Sequence, residues 1–451
     1  MKKTGSNSRV MITTAGILFL FACSVTGGGS GIPIDEDTPP PAIPADPTGT
    51  AYYVDTAGSD SNAGTSTGAP FKTLNKAVSV IQPGEVIYVR GGTHLYPSTP
   101  AIGLSKNGSL SGWYYIWAYP GEQPILDFQA TALGSSNGIY LTGSYWYIKG
   151  IEITRASKNG IRITGNYNII EQCATHHNND SGLQIGLNKG VENNGSLSAW
   201  NQVINCDSYL NCDIGGSTGD GGNADGFACK LNPGVGNVFT GCRSWENSDD
   251  GWDLYMADYK VVMDLCWTWH NGDPASYSYS GSSWSGNGNG FKVGGGDDAK
   301  ANEHYSWGHH VLTNCIAFNM NYGLGTSHKA FDRNNNRAGV TMLNCLAFDS
   351  IRGFYFSTQP EDGTHHVLKN CAVFGCGTNY TLSGDTVLDH NSWNLSLTPT
   401  AADFQDLSET AAKAARGADG SLPLVFGRLE PGSPLIGAGI DVGTGTTNLG
   451  A

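Results

Sequence analysis

Charged residues make up only 14% of this 451-residue chain, and acids outnumber bases 39 to 25. No basic run or stripe offsets the net charge of −14, which argues against a nucleic-acid partner. No apolar stretch is long enough to span a bilayer comfortably, since the hydrophobic run near the N-terminus covers only residues 10–22. The 11 cysteines include no Cys-x-x-Cys pair, so thiolate metal sites are disfavoured. Gly-x-Ser-x-Gly occurs at residues 64–68, 134–138 and 215–219, but in turn-rich stretches rather than between an apolar strand and a helix, so a serine or cysteine hydrolase gains no support. What is abundant is glycine, at 63 residues, beside 39% apolar residues. That composition is too apolar for disorder and favours a turn-dense, all-β fold over a helical bundle.

Lys2, Lys3 and Arg9 precede the apolar run, so residues 1–22 read as an export signal. The run ends in Leu20-Phe21-Ala22-Cys23, which resembles a bacterial lipoprotein cleavage box with Cys23 as the lipidated residue. Residues 23–50, which include Pro39-Pro40-Pro41, read as a flexible linker. The expectation is an exported monomer, either secreted or held at the outer membrane or cell surface. A lipid anchor on Cys23 would be its only membrane contact.

Self-similarity organises the remainder. Asn137-Gly138-Ile139-Tyr140-Leu141 recurs as Asn159-Gly160-Ile161-Arg162-Ile163 and as Ser181-Gly182-Leu183-Gln184-Ile185, a spacing of 22. The series continues at Gly226, Gly251, Gly290, Gly323 and Gly353. Cys173, Cys206, Cys242, Cys266, Cys315, Cys345 and Cys371 interleave with it, each in a short apolar segment. A glycine strand and a cysteine strand per coil, with short turns, predict a parallel β-helix over residues 51–394. The cysteines read as a reduced, inward-facing stack. Phe71, Leu74, Ala77, Val78 and Ile81 have helical spacing and predict a short N-terminal capping helix. Residues 395–451 read as a return segment packing on the solenoid, with helix around 401–415.

The repeat assigns faces. Residues one and three after each glycine are apolar and point inward, so the residue two after it points outward. This buries Trp252, Leu254, Phe291 and Val293 and exposes Asp253 and Lys292 on adjacent coils. Asp225 and Asp250 precede their glycines, with Asp249 alongside. Asp-Gly is an ordinary turn dipeptide, but aspartates stacked on adjacent coils repel unless a cation lies between them. Oxygen-only ligands select a hard cation, and calcium is the favoured one outside the cell. Lys292 then stands beside the ion as a base. Long insertions before Gly226 and Gly290 deliver the chain to this patch and carry Trp284, read as a wall of a sugar-binding cleft. Lys329, Arg333, Asn335 and Arg352, further along, are candidates for binding anionic sugars.

Asn-Ala-Asp-Gly-Phe, Ser-Asp-Asp-Gly-Trp-Asp, Gly-Asn-Gly-Phe-Lys-Val-Gly-Gly and Phe-Asp-Arg-Asn-Asn-Asn resemble the pectate lyases of polysaccharide lyase family 9. The resemblance spans roughly residues 50 to 451. It implies a right-handed parallel β-helix, calcium held by Asp225, Asp249, Asp250 and Asp253, and Lys292 as the Brønsted base. It also implies an acidic polysaccharide substrate, which is pectate-like, a rhamnogalacturonan I or another acidic bacterial glycan. Arg333 stands where some relatives carry Gln. Two other readings are a β-helix glycoside hydrolase and a non-catalytic glycan-binding solenoid; the latter accounts for the aspartates but not for the adjacent lysine.

Overall fold

Each coil lays down three short strands rather than two. The structure, a computed structural model, describes residues 36, 38–322 and 328–450. The predicted signal, Cys23 and Gly323 lie outside the described residues. Sheet 1 has 12 parallel strands, from Ala51–Val54 to Val387–Asp389. Sheets 2 and 3 have 10 each, starting at Gly92–Leu95 and Ile102–Leu104. The chain visits sheets 1, 2 and 3 in turn, which makes a parallel β-helix.

The difference from two strands per coil lies in the cysteine segments. In Leu312-Thr313-Asn314-Cys315-Ile316-Ala317-Phe318 the chain bends, with Val311–Thr313 in sheet 1 and Ile316–Phe318 in sheet 2. The residue before each ladder cysteine is left-handed, including Gln172 (φ 52°), Leu265 (φ 53°) and Asn314 (φ 52°). One such residue turns the strand without lengthening it. Five of the seven positions are Asn or Gly, which favour this conformation, and Gln172 and Leu265 are the exceptions. The cysteines point inward there, each thiol donating to a carbonyl of the preceding coil. Cys206 donates to Ile170 at 3.4 Å and Cys371 to Met342 at 3.7 Å. They are free thiols, as the repeated register suggests.

Leu74–Val80 forms the predicted helix at the N-terminal end, capped by Thr73, whose hydroxyl accepts from the Lys76 N–H at 3.2 Å. Leu74, Ala77 and Val78 are buried in the core. The C-terminal helix is shorter than expected, reduced to a 3-10 turn at Ala401–Asp403 and one α turn at Glu409–Ala412. Most of that segment is loop. Its Phe404, Phe426, Leu429 and Leu435 pack on Trp267, Trp269, Phe318 and Phe348 on the outer face of sheet 2.

His270 anchors this segment, with Nδ1 3.0 Å from Glu409 and Nε2 3.0 Å from Asp273. Burial works against its charged form, but the two carboxylates outweigh it and raise its pKa. A raised histidine pKa contributes stability that is complete below the unfolded value of about 6.5 and is lost as pH climbs through the folded value. His270→Gln is therefore expected to lower Tm more at pH 6 than at pH 9, as thermal melts would show.

Candidate active site

The site lies on the outer face of sheet 3, carried by strands Phe227–Cys229, Trp252–Asp253, Phe291–Lys292 and Lys329–Asp332. Their inward residues form one stack, Phe227–Trp252–Phe291–Phe331, with ring centroids 5.0, 4.8 and 5.1 Å apart. The stack holds the strands in register and so fixes the alternate, outward residues. Asp253 pairs across the ladder with Ala228 on one side and Lys292 on the other, and Lys292 pairs with Asp332.

The turns that enter these strands are held by a second ladder of buried asparagines. Asn178 donates to Asn211 at 2.9 Å, Asn211 to Asn247 at 2.9 Å, and Asn247 to Asn271 at 3.3 Å. Asn247 stands just before Ser248-Asp249-Asp250, so this ladder sets where those two acids leave the coil. Asp250 is fixed further by Asn289, whose backbone N–H and side-chain amide reach Oδ1 at 3.0 and 2.8 Å.

Asp225, Asp250 and Asp253 converge, with one oxygen from each all within 4.8 Å of one another. Asp249 stands beside this set, accepting from the Asn287 N–H at 2.6 Å. Lys292 Nζ lies 2.9 Å from Asp250 Oδ2 and 3.4 Å from Asp253 Oδ1. Asp253 and Lys292 do point away from the solenoid core, but they are not exposed: the surrounding turns leave them only 3% and 8% accessible.

Lys230 belongs to the cluster as well. Its Nζ is 2.6 Å from Asp225 Oδ2 and 3.1 Å from Asp253 Oδ2. It falls four residues after Gly226, on the outward side of the same alternation, and its Nζ reaches back to Asp225. Applying the register to the fourth residue as well as the second would have found it.

Four carboxylates against two ammoniums leave two negative charges in excess, all in buried positions. Burial and mutual repulsion raise Asp225, Asp249 and Asp250 above the usual carboxylate range. Asp253 is held low despite its burial, because it lies between Lys292 and Lys230. Burial disfavours both ammoniums, but the surrounding acids raise them. Asp250 Oδ2 has the Lys292 ammonium beside it at 2.9 Å. An excess of two formal charges and three converging carboxylates fit a divalent cation.

The other sequence candidates divide. Lys329 and Arg352 are ladder partners on this face, and both stand over the Tyr355 ring, at 5.0 and 4.9 Å. Lys329 also pairs with Asp332 at 2.7 Å. Arg333 turns away and donates to the Asn336 carbonyl at 2.7 Å, while Asn335 is an exposed left-handed turn residue. Trp284 is not an open sugar platform. It is 4% accessible, donates to the Gly272 carbonyl at 2.9 Å and fills the space over Gly221, so it ties the two insertions together.

The family profile described as "Pel9A-like, right handed beta helix region" matches residues 52–375. The chain belongs to this family. This Pel9A-like chain is 37% identical over 401 residues to pectate lyase L of Dickeya chrysanthemi, covering 86% of itself and 85% of that protein. Pectate lyase L of Paenibacillus polymyxa is also 37% identical, over 84% of this chain and 80% of its own. The crystal structure of pectate lyase Pel9A superposes with a TM-score of 0.77 at 35% identity, over 89% of this chain and 95% of the other. A rhamnogalacturonan lyase follows at 0.70 and 27%, over 85% and 97%. The Pel9A-like β-helix is right-handed, and the protein is a polysaccharide lyase. Among the described residues, no helix is long and apolar enough to cross a membrane.

Proposed function

We propose that the protein is a calcium-dependent lyase that cleaves a pectate-like polyuronate by β-elimination, with Lys292 as the base. The observation that carries this is the place of Lys292 on the outward ladder, directly beside Asp253, with its Nζ against both Asp250 and Asp253.

One oxygen from each of Asp225, Asp250 and Asp253 lies within 4.8 Å of the others, close enough for all three to reach one ion at a calcium–oxygen distance of ~2.4 Å. Bound calcium would cancel the excess negative charge, lower the affinity of Lys292 for its proton and stabilise the charge that develops on a uronate carboxylate. Lys292 then accepts the C5 proton at Nζ. The C4–O bond breaks as the C4–C5 double bond forms, and the leaving oxygen takes a proton from water. Lys230 keeps Asp225 and Asp253 in place. Export, with or without a lipid on Cys23, agrees with a polymer substrate outside the cell.

Mass spectrometry of the products tests the reading. Polygalacturonate and rhamnogalacturonan are incubated in parallel, and the expected result is unsaturated fragments from polygalacturonate, formed without uptake of water. Saturated fragments that have gained a water per cut would identify a hydrolase and refute the proposal. Unsaturated fragments from rhamnogalacturonan alone would keep the chemistry and change the substrate.

A further inference from the structure

The outward ladder that carries Asp253 and Lys292 continues toward the N-terminus through Ala228, Gln184, Arg162 and Tyr140. Two of these positions hold donors that the protein does not satisfy. Arg162 is 7% accessible, and its guanidinium makes one long hydrogen bond, from Nη2 to Asn188 Oδ1 at 3.4 Å. Arg243, about equally buried, shows what such a group normally receives: Asp207 grips it at 2.8 and 2.7 Å. Gln184 is 3% accessible. Its Oε1 accepts from Asn159 at 3.1 Å, while its Nε2 has no partner.

The nearest carboxylate, Asp180, is engaged elsewhere. It accepts from Asn223 at 2.7 Å and from the Ser181 N–H at 2.8 Å, and lies 3.5 Å from Lys158. A buried donor without an acceptor, as Gln184 Nε2 is among the described residues, is costly, and a guanidinium with a single long hydrogen bond is poorly satisfied. Here they are stacked on adjacent coils of the substrate face, and the small side chain of Ala228 separates them from the acid cluster. Donors without acceptors are complementary to a ligand rich in acceptors. The fork of Arg162 matches a carboxylate.

We infer that Arg162 and Gln184 form a subsite that binds a uronate carboxylate of the polysaccharide, remote from the point of cleavage. This rests on the polyuronate reading above. Arg162 stands three coils from Asp253, about 14 Å at the ladder spacing of ~4.8 Å. A single sugar ring at the acid cluster cannot span that distance, so the subsite senses chain length. Burial already lowers the pKa of Arg162 to about 10, and an anion bound beside it would reverse that loss.

The test compares Arg162→Ala, Arg162→Lys and Gln184→Ala with the wild type at saturating calcium. Rates of unsaturated product are measured on polygalacturonate and on oligogalacturonates of increasing length. Arg162→Ala is expected to raise KM on the polymer by about 10- to 100-fold, the loss of one charge-assisted hydrogen-bonded pair, with kcat falling much less. Arg162→Lys should recover part of this, and Gln184→Ala should show a smaller rise in KM. The penalty should grow with substrate length and reach its full size only in chains long enough to touch Arg162.

Calorimetry of the same substitutions on a Lys292→Ala background reads binding without turnover. If Arg162→Ala does not fold, judged by its melting curve, Gln184→Ala and Arg162→Lys decide. Active variants with wild-type KM and binding on the polymer would overturn the subsite alone, as would a penalty equal at every length. A wild type inactive on every polyuronate would overturn the parent reading, and the subsite with it.

Discussion

Lys292→Ala is expected to lose about 10²- to 10⁴-fold in kcat, the usual contribution of a positioned general base. Calcium binding should be retained or tightened, because the substitution removes a positive charge from among the ligands. The prediction separates two roles for the ammonium that lies 2.9 Å from Asp250 and 3.4 Å from Asp253. If Lys292 served only to balance charge, Lys292→Arg would preserve activity. A guanidinium does not deprotonate in proteins, so a base cannot be replaced in this way. Both variants should therefore be inactive, while calorimetry with calcium shows an intact ion site. The Phe227–Trp252–Phe291–Phe331 stack lies on the opposite side of the strand and is untouched by either change.

Asp250→Asn should weaken calcium binding by at least about 10²-fold, and activity at subsaturating calcium should fall in step. The substitution is nearly isosteric and keeps the acceptor that Asn289 holds at 3.0 and 2.8 Å. It removes a charge and replaces Oδ2 with an amide that faces the Lys292 ammonium. The same change at Asp249 should cost less, since that carboxylate stands outside the converging set and is held by the Asn287 N–H. Equal losses at the two positions would show that all four acids contribute alike. Calcium titrations followed by calorimetry, with rates measured over the same range, give both numbers.

Much of this site could be read from the chain because a solenoid turns sequence spacing into position. The glycine series placed Asp253 and Lys292 two residues after successive glycines, and the ladder pairs them directly. Three things escaped that rule. The cysteine segments contain a corner made by one left-handed residue, Asn or Gly in five of seven coils but Gln172 and Leu265 in the other two, so an unbroken apolar segment hides it. Burial of the site depends on how the turns fold over sheet 3, and strand periodicity says nothing about that. Trp284 shows the same gap: an aromatic in a long insertion reads as a sugar platform until the second insertion is seen to pack under it. Lys230 was different, since the register already pointed to it. Its ammonium reaches back to Asp225, five residues earlier in the chain.

The most direct test of the account follows unsaturated product on polygalacturonate by absorbance as free calcium rises from chelated to millimolar. The account predicts no measurable rate with chelator, a saturable rise with calcium, and no rise at any calcium concentration for Lys292→Ala. Undiminished formation of unsaturated product in chelator, or a calcium-dependent rate in Lys292→Ala that matches the wild type, would contradict it.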